Sequence, residues 1–419
     1  MMIRTILRSP SLRAALALGC GGLLFTLSNL IFARELTSAE YGLFSLFIGL
    51  FSVAILAAPL GVDLVISRRG LLLDARLRRV ALAACIAVAA LTSVVAAPAY
   101  HLTLDMLIAL TIATAAAGAC QVGVAHFQGQ RQFGIAAWLL QIPNMALAPI
   151  ALFTVVLGLR SAETLSGLLA AACVIGLCGT AYLVGRQRRK YLQPDIQKDI
   201  RQDNRISTLW REAMSLLGIT MASALFMQLE RLVLVPTVGI QGLALFGVVA
   251  ALVGSPFRMI QSAVLFTLIP SLRAAGGVAE RRRLLAHEAL IVGAALACGA
   301  AVLWLVAPPL AHWYLGGRYD LSDPLMLAAI FSGLLKVCSA FTTSVAVALG
   351  DDRDLRYTSL SAWSSLAVAC AGAFLSAGWG LTGVLYGISA GWLVRTVAAA
   401  CIAMPHLLHS RGDLPHPAG

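Results

Sequence analysis

Twelve apolar runs, each long enough to cross a bilayer, constrain this chain more than any motif in it. They lie at about 14–33, 41–66, 80–97, 104–125, 135–157, 165–185, 212–234, 244–270, 286–307, 324–349, 358–376 and 382–404. Crossing about 30 Å of hydrocarbon at 1.5 Å per residue takes roughly 20 residues. A helix satisfies its own backbone polar groups, so the runs predict an all-α polytopic membrane protein. The ten-residue alternation of an outer-membrane barrel is absent from these runs. Composition agrees: 59% of the residues are hydrophobic and 12% charged, too little polar surface for a soluble particle of 419 residues.

The formal charge of +12 would suggest nucleic acid in a soluble chain, but its placement points elsewhere. Of 31 basic residues, 24 fall in termini and loops on one side, three on the other (Arg34, Arg160, Arg318) and four within or at the ends of spans (Arg231, Arg258, Lys336, Arg395). The positive-inside rule then predicts that both termini and the loop 186–211 are cytoplasmic. No nucleic-acid partner is expected. Arg4, Arg8 and Arg13 precede the first run as in a signal peptide, but the run exceeds a usual signal core, so a retained helix is expected. The nine cysteines all fall in apolar runs and imply neither a disulfide framework nor a metal site. Trp304, Trp313, Tyr314 and Tyr319 cluster at one boundary, where interface aromatics are expected.

The polar segment 186–211 divides the chain near its middle, six runs on each side. Tyr41-Gly42-Leu43-Phe44-Ser45 and Leu243-Ala244-Leu245-Phe246-Gly247 open the second run of each half. These features predict a parallel repeat of two six-helix bundles, as in transporters that rock two halves about a midplane site. The expected domains are a bundle at 1–185, a linker at 186–211, a bundle at 212–404 and a tail at 405–419.

Several motifs resemble one family. Leu30-Ile31-Phe32-Ala33-Arg34-Glu35-Leu36, Glu40-Tyr41-Gly42-Leu43-Phe44-Ser45, Pro59-Leu60-Gly61 and Arg68-Arg69 resemble the opening of the polysaccharide-transporter family. These are the O-antigen and exopolysaccharide flippases (Wzx type) of the MOP exporter superfamily. Glu230-Arg231 stands where that family often has Asp-Arg, a departure mild in chemistry. Tyr314-Leu315-Gly316-Gly317-Arg318-Tyr319, Leu349-Gly350-Asp351 and Gly378-Trp379-Gly380-Leu381-Thr382-Gly383 resemble its later segments. The Tyr41-Gly42 pair is read as structural, Gly42 tightening a helix start and Tyr41 sitting at the membrane interface. The resemblance implies a multi-pass bacterial inner-membrane flippase that moves a polyprenyl-diphosphate-linked oligosaccharide by alternating access. Its expected partners are membrane lipids, that glycan and other polysaccharide-assembly membrane proteins.

No Walker A or HExxH motif occurs, and the GxSxG match Gly387-Ile388-Ser389-Ala390-Gly391 falls inside the last apolar run rather than after a strand, so transport is expected rather than enzyme catalysis. No cofactor or metal is expected beyond a coupling ion, H+ or Na+. One Arg or Lys at the centre of a membrane helix costs roughly 2.5–3.5 kcal/mol on insertion scales, so such residues mark function. Arg258, Lys336 and Arg395 lie about 20 Å below the outer surface by residue count. Ser332, Lys336, Ser339 and Thr343 share one helix face, and so do Ser255, Arg258, Gln261 and Ser262. A cationic cavity with few acids at that depth is expected, and it suits the oxygens of a diphosphate. Asp63, Glu230 and Arg231 are candidates for gating or coupling, Asp63 as a proton carrier or a partner of Arg68. Asn29, Gln261, Ser332 and Ser339 are candidates for a polar lining, with Gln121, Gln141, Asn144 and Gln228 beside them. The inner arginine runs are explained by topology, or by anionic lipid heads.

Two other readings remain open. A MOP exporter of another substrate, a drug or a peptidoglycan-precursor lipid, would share the fold. A cation exporter should carry acids rather than bases in its cavity, and the precursor flippase has more spans. A glycan polymerase or ligase would need a larger outer loop than 308–323.

Overall fold

The computed structural model describes residues 10–69, 71, 73, 75–130, 132–191, 206–275 and 277–408. Arg4, Arg8 and Arg131 of the basic side, the centre of the linker and the tail beyond 408 lie outside the described residues. The chain is 91% helical, with no strand among the described residues. Ten helices are long and apolar enough to span a membrane, and an eleventh is a pair bent by 43°. A further helix of 26 residues covers the first expected span. The all-α polytopic architecture follows, and the chain divides into two compact units, Met1–Gln228 and Leu229–Gly419.

In the first unit, α1 is Pro10–Glu35, α2 Ser38–Ala57, α3 Val62–Arg69, α4 Ala75–Tyr100, α5 Leu104–Gly129, α6 Phe133–Leu140, α7 Ile142–Leu157 and α8 Ala162–Tyr191. Helix α9, Ile206–Val238, begins in this unit and ends in the next. The expected second span breaks after Ala57. Pro59 stops the helix, and Leu60 and Gly61 have φ of 50° and 76°. A side chain at Gly61 would press on the Ala213 carbonyl of α9, 2.9 Å from its carbon. Glycine is therefore required there, and Val62, Val65 and Ile66 of α3 pack with Val122, Ala125 and Ala213.

The expected fifth span also breaks. Gln141 separates α6 from α7, and Pro143 in the next turn lacks the N–H that would continue the ladder. Gln141 fills the notch at Gly21 of α1 and accepts a 2.7 Å bond from Asn144 Nδ2.

The Glu40-Tyr41-Gly42 motif acquires a physical account here. Thr37 Oγ1 caps α2 by accepting the Glu40 N–H at 3.3 Å. The Glu40 carboxylate then reaches across 122 residues to accept the Ala162 N–H at 2.6 Å, at the start of α8. Tyr41 is not an interface aromatic: it is 0% exposed, in the layer where Phe32 meets Phe44 edge-on at 5.0 Å. Tyr319 is likewise buried, whereas Trp313 is exposed as expected.

In the second unit, α10 is Ile240–Val249, a π-helical turn covers Ala250–Gly254, and α11 is Ser255–Ala274. Then come α12 Val278–Leu315, α13 Asp323–Leu349, α14 Asp352–Leu375 and α15 Gly380–Leu408. A capping box of Asp351 and Asp354 starts α14. Helices α14 and α15 meet backbone to backbone at Gly372 and Gly387, where an added Cβ would lie 2.5 Å from a carbonyl oxygen. Small residues permit this closeness in lipid, where association relies on packing rather than on hydrophobic exclusion. Arginines in the last turn of α11 and the first turns of α12 reach other helix ends: Arg273 donates to Val347 O of α13 at 3.4 Å, and Arg282 to Leu407 O of α15 at 2.6 Å.

Candidate functional site

The site lies in the second unit and is built by α9, α11 and α13. The π turn ahead of α11 has a local cause. Pro256 lacks an N–H and its ring excludes the carbonyl four residues back, so the helix widens there. Ser255 Oγ donates to Ala250 O at 3.3 Å, five residues back, and satisfies a carbonyl of the widened turn. Inserting such a turn changes the direction in which the next residues face, and the second of them after Pro256 is Arg258.

Helix α11 approaches α13 closely at Phe257 and Gly333. An added Cβ at Gly333 would sit 2.7 Å from Phe257 Cγ, so glycine lets the aromatic ring seat against the helix. Phe257 itself is 2% exposed. The contact fixes Arg258, next to Phe257, and Lys336, one turn beyond Gly333, relative to each other.

Lys336 Nζ donates to Glu230 Oε1 of α9 at 2.5 Å. Ser332, one turn before Lys336, donates its hydroxyl to the same oxygen at 3.3 Å. Glu230 and its neighbour Arg231 are each 4% exposed, and Arg258 lies within electrostatic reach of Glu230. Glu230, Ser332, Lys336 and Arg258 are thus brought together, with Arg231 adjacent in sequence. Gln261, one turn beyond Arg258, is buried; Arg258 itself is exposed.

The expected depth of Glu230, near the outer end of its span and away from Lys336, is corrected by their direct bond. Counting from span ends placed Glu230 near one surface and Lys336 near the middle. Helix α9 runs on to Val238 and α13 begins at Asp323, and tilted helices need not have level ends. The α13 stripe is also more enclosed than expected: Ser332 and Ser339 are 3% and 1% exposed. Thr343 Oγ1 is buried without a hydrogen-bond partner among the described residues. These groups face neighbouring helices rather than an open wall.

Arg395 of α15 rests over the ring of Trp392, one turn earlier, with 5.7 Å to its centroid. Two candidates belong to the first unit and not to this cluster. Asn29 is buried and donates its amide to Phe25 O of its own helix at 2.7 Å. Asp63 lies in α3 beyond the break, with Oδ1 buried and without a partner among the described residues. Sequence reading missed the π turn and the Phe257–Gly333 contact. Pro256 and Gly333 were their only visible signals.

No protein-family model matches the chain, and no curated relative does either. Solved structures do match. An inward-facing multidrug-resistance MATE family transporter of the MOP superfamily aligns over 92% of this chain and 94% of its own, at 15% identity and a TM-score of 0.62. An outward-facing multidrug-resistance MATE family transporter of the superfamily aligns over 95% of both chains at 14% identity and a TM-score of 0.61. A MOP-superfamily transporter from Pyrococcus furiosus, described by a binding pocket of reversed polarity that suggests a different function, covers 96% and 97% at 15% identity and 0.63. At these identities the likeness concerns the fold alone. With its helix count and its two units, the chain has the fold of MOP-superfamily transporters.

Proposed function

We propose that this protein is an inner-membrane flippase that moves a polyprenyl-diphosphate-linked oligosaccharide by alternating access. The observation that carries the reading is the charge balance of the second unit's spans. Within that unit's expected spans, Arg231, Arg258, Lys336 and Arg395 outnumber the carboxylates Glu230 and Glu288, the latter on α12. An excess of fixed positive charge in lipid favours an anionic ligand and repels a cationic drug. Arginine offers a fork to phosphate oxygens, and lysine a mobile point charge.

In this reading Arg258 is the primary diphosphate ligand, and Glu230 is a resident counter-ion that Lys336 exchanges for the incoming diphosphate. Ser332 keeps a hydrogen bond on Glu230 during the exchange. Arg395 adds long-range field, held by Trp392. Asp63 is the candidate for coupling to H+ or Na+, being the one carboxylate outside the cluster with a buried oxygen that lacks a partner among the described residues. Both termini are taken to be cytoplasmic.

The test is complementation of a strain that lacks the protein, with surface polysaccharide and lipid-linked intermediates measured at matched membrane abundance. Arg258→Gln should stop export and leave single lipid-linked units on the inner leaflet. Arg258→Lys should retain part of the export. Full export by the double variant Arg258→Gln/Arg395→Gln would overturn the cationic mechanism. Single units delivered outside would indicate a polymerase instead.

A further inference from the structure

Away from the charged cluster, the second unit contains an apolar groove of about 520 Å³. Leu285 and Ala289 of α12, Phe341 and Val345 of α13, and Ala400 and Met404 of α15 line it. The groove exists because α12 stands off its neighbours: only 6% of its apolar window is buried. Beside the groove α12 presents Leu290, 72% exposed, and Ile291, 49% exposed. Its open side therefore faces hydrocarbon.

The lining holds almost nothing polar. Thr342 is the only hydroxyl, and it is tied to Cys338 O at 3.1 Å and Ser339 O at 3.2 Å. Such a surface accepts a hydrocarbon chain and offers no hydrogen bonds to a sugar or a polar drug.

One end of the groove is charged. Arg281, Arg282 and Arg283 precede Leu285 on α12. Arg282 donates to the carbonyl of the lining residue Leu407, which locates the run at the groove mouth. Arg281 is four residues before Leu285 and so shares its helix face. Arg281 Nε is buried and has no hydrogen-bond partner among the described residues, a donor that ordinarily finds one. The carboxylate of Asp354 is engaged by His406, next to Leu407, at 2.8 Å and by the Asp351 N–H at 2.9 Å.

We infer that the α12–α13–α15 groove is a binding site for an anionic membrane phospholipid, with one acyl chain along Leu285, Phe341 and Met404 and the phosphate on Arg281. This site is separate from the Arg258–Lys336 cluster, and it stands whatever the transported substrate is. A bound lipid would fill the gap beside α12 and give Arg281 Nε its acceptor. Basic residues beside a membrane surface favour anionic lipid by about fivefold each.

The full-length protein in mild detergent, titrated with phosphatidylglycerol or phosphatidylcholine and read by native mass spectrometry, tests this. Phosphatidylglycerol should bind at least fivefold more tightly than phosphatidylcholine. Arg281→Gln should cut that preference about fivefold, and Arg281→Lys should keep part of it. Ala400→Phe, which fills the groove, should weaken both lipids about tenfold. Ala289→Phe repeats that test from the facing helix where Ala400→Phe does not elute as a folded protein. Inorganic phosphate at millimolar concentration should not displace the lipid. Undiminished preference in Arg281→Gln, undiminished binding in the Phe variants, or displacement by phosphate would each overturn the site.

Discussion

Replacing Lys336 by Gln removes a charge from lipid, which should ease insertion of α13, yet the geometry predicts destabilisation. The Glu230 side chain is 6% exposed and that of Lys336 20% exposed, so neither is well screened by solvent. At an effective dielectric constant near 20, a pair at this spacing attracts by about 7 kcal/mol, and desolvation offsets part of that. Removing one member of a buried pair costs about 3–5 kcal/mol, because the other charge is left in place. Ser332 and the field of Arg258 remain for Glu230 after Lys336→Gln, so the low end, about 3 kcal/mol, is expected. Glu230→Gln should cost about 2 kcal/mol, since Lys336 is the more exposed partner. The double variant should cost far less than the sum, with a coupling energy of about 2–3 kcal/mol. Unfolding by a denaturing detergent, followed by tryptophan fluorescence, measures all three. Additive losses would refute the pair as an energetic unit. Export separates structure from transport: if Lys336 also holds diphosphate, the double variant regains stability and remains defective in export. Restored export would leave Lys336 with a structural role alone.

Gly333→Ala should cost about 1–3 kcal/mol through overpacking against Phe257, and should lower export by tilting α11 away from α13. Phe257→Leu in the same chain should relieve it, measured by the same unfolding and export assays. Glu40→Ala should cost about 1 kcal/mol by uncapping α8, with faster amide exchange confined to the first turn of that helix. Exchange spread evenly over the first unit would contradict the cap.

The membrane architecture was legible because lipid imposes it. Each span must be apolar and about 20 residues long. The interruptions were only half legible. Pro59, Pro143 and Pro256 are visible in the sequence, but whether proline gives a sharp break, a 43° bend or a π turn depends on what fills the gap. At Gly61 the neighbour is the Ala213 backbone, and at Gln141 it is the space over Gly21. At Pro256 the Ser255 hydroxyl supports the widened turn. The Glu230–Lys336 pair was not legible, because the partners are 106 residues apart and span ends are a poor gauge of depth. The Glu40-Tyr41-Gly42 motif was recognised, but the work of Glu40 lies at a helix start 122 residues away.

A transporter for a strongly charged headgroup must hold it well enough to load and weakly enough to release, the same balance that conduction through a channel demands. A pocket of bare cations would satisfy the first need and fail the second, and it would be costly to keep in lipid when empty. Glu230 answers both difficulties. Without ligand it compensates Lys336 at hydrogen-bond distance. In the proposed function, with ligand it would compete for the same ammonium and weaken the hold on the diphosphate. The competition requires a partner that can turn from one anion to another, which a flexible lysine does more readily than a planar guanidinium. It also requires that the acid stay in place when the lysine leaves, and the Ser332 bond supplies that restraint. Under the proposed function, the glutamate and lysine would set how readily the headgroup leaves, while Arg258 would set which headgroup is taken.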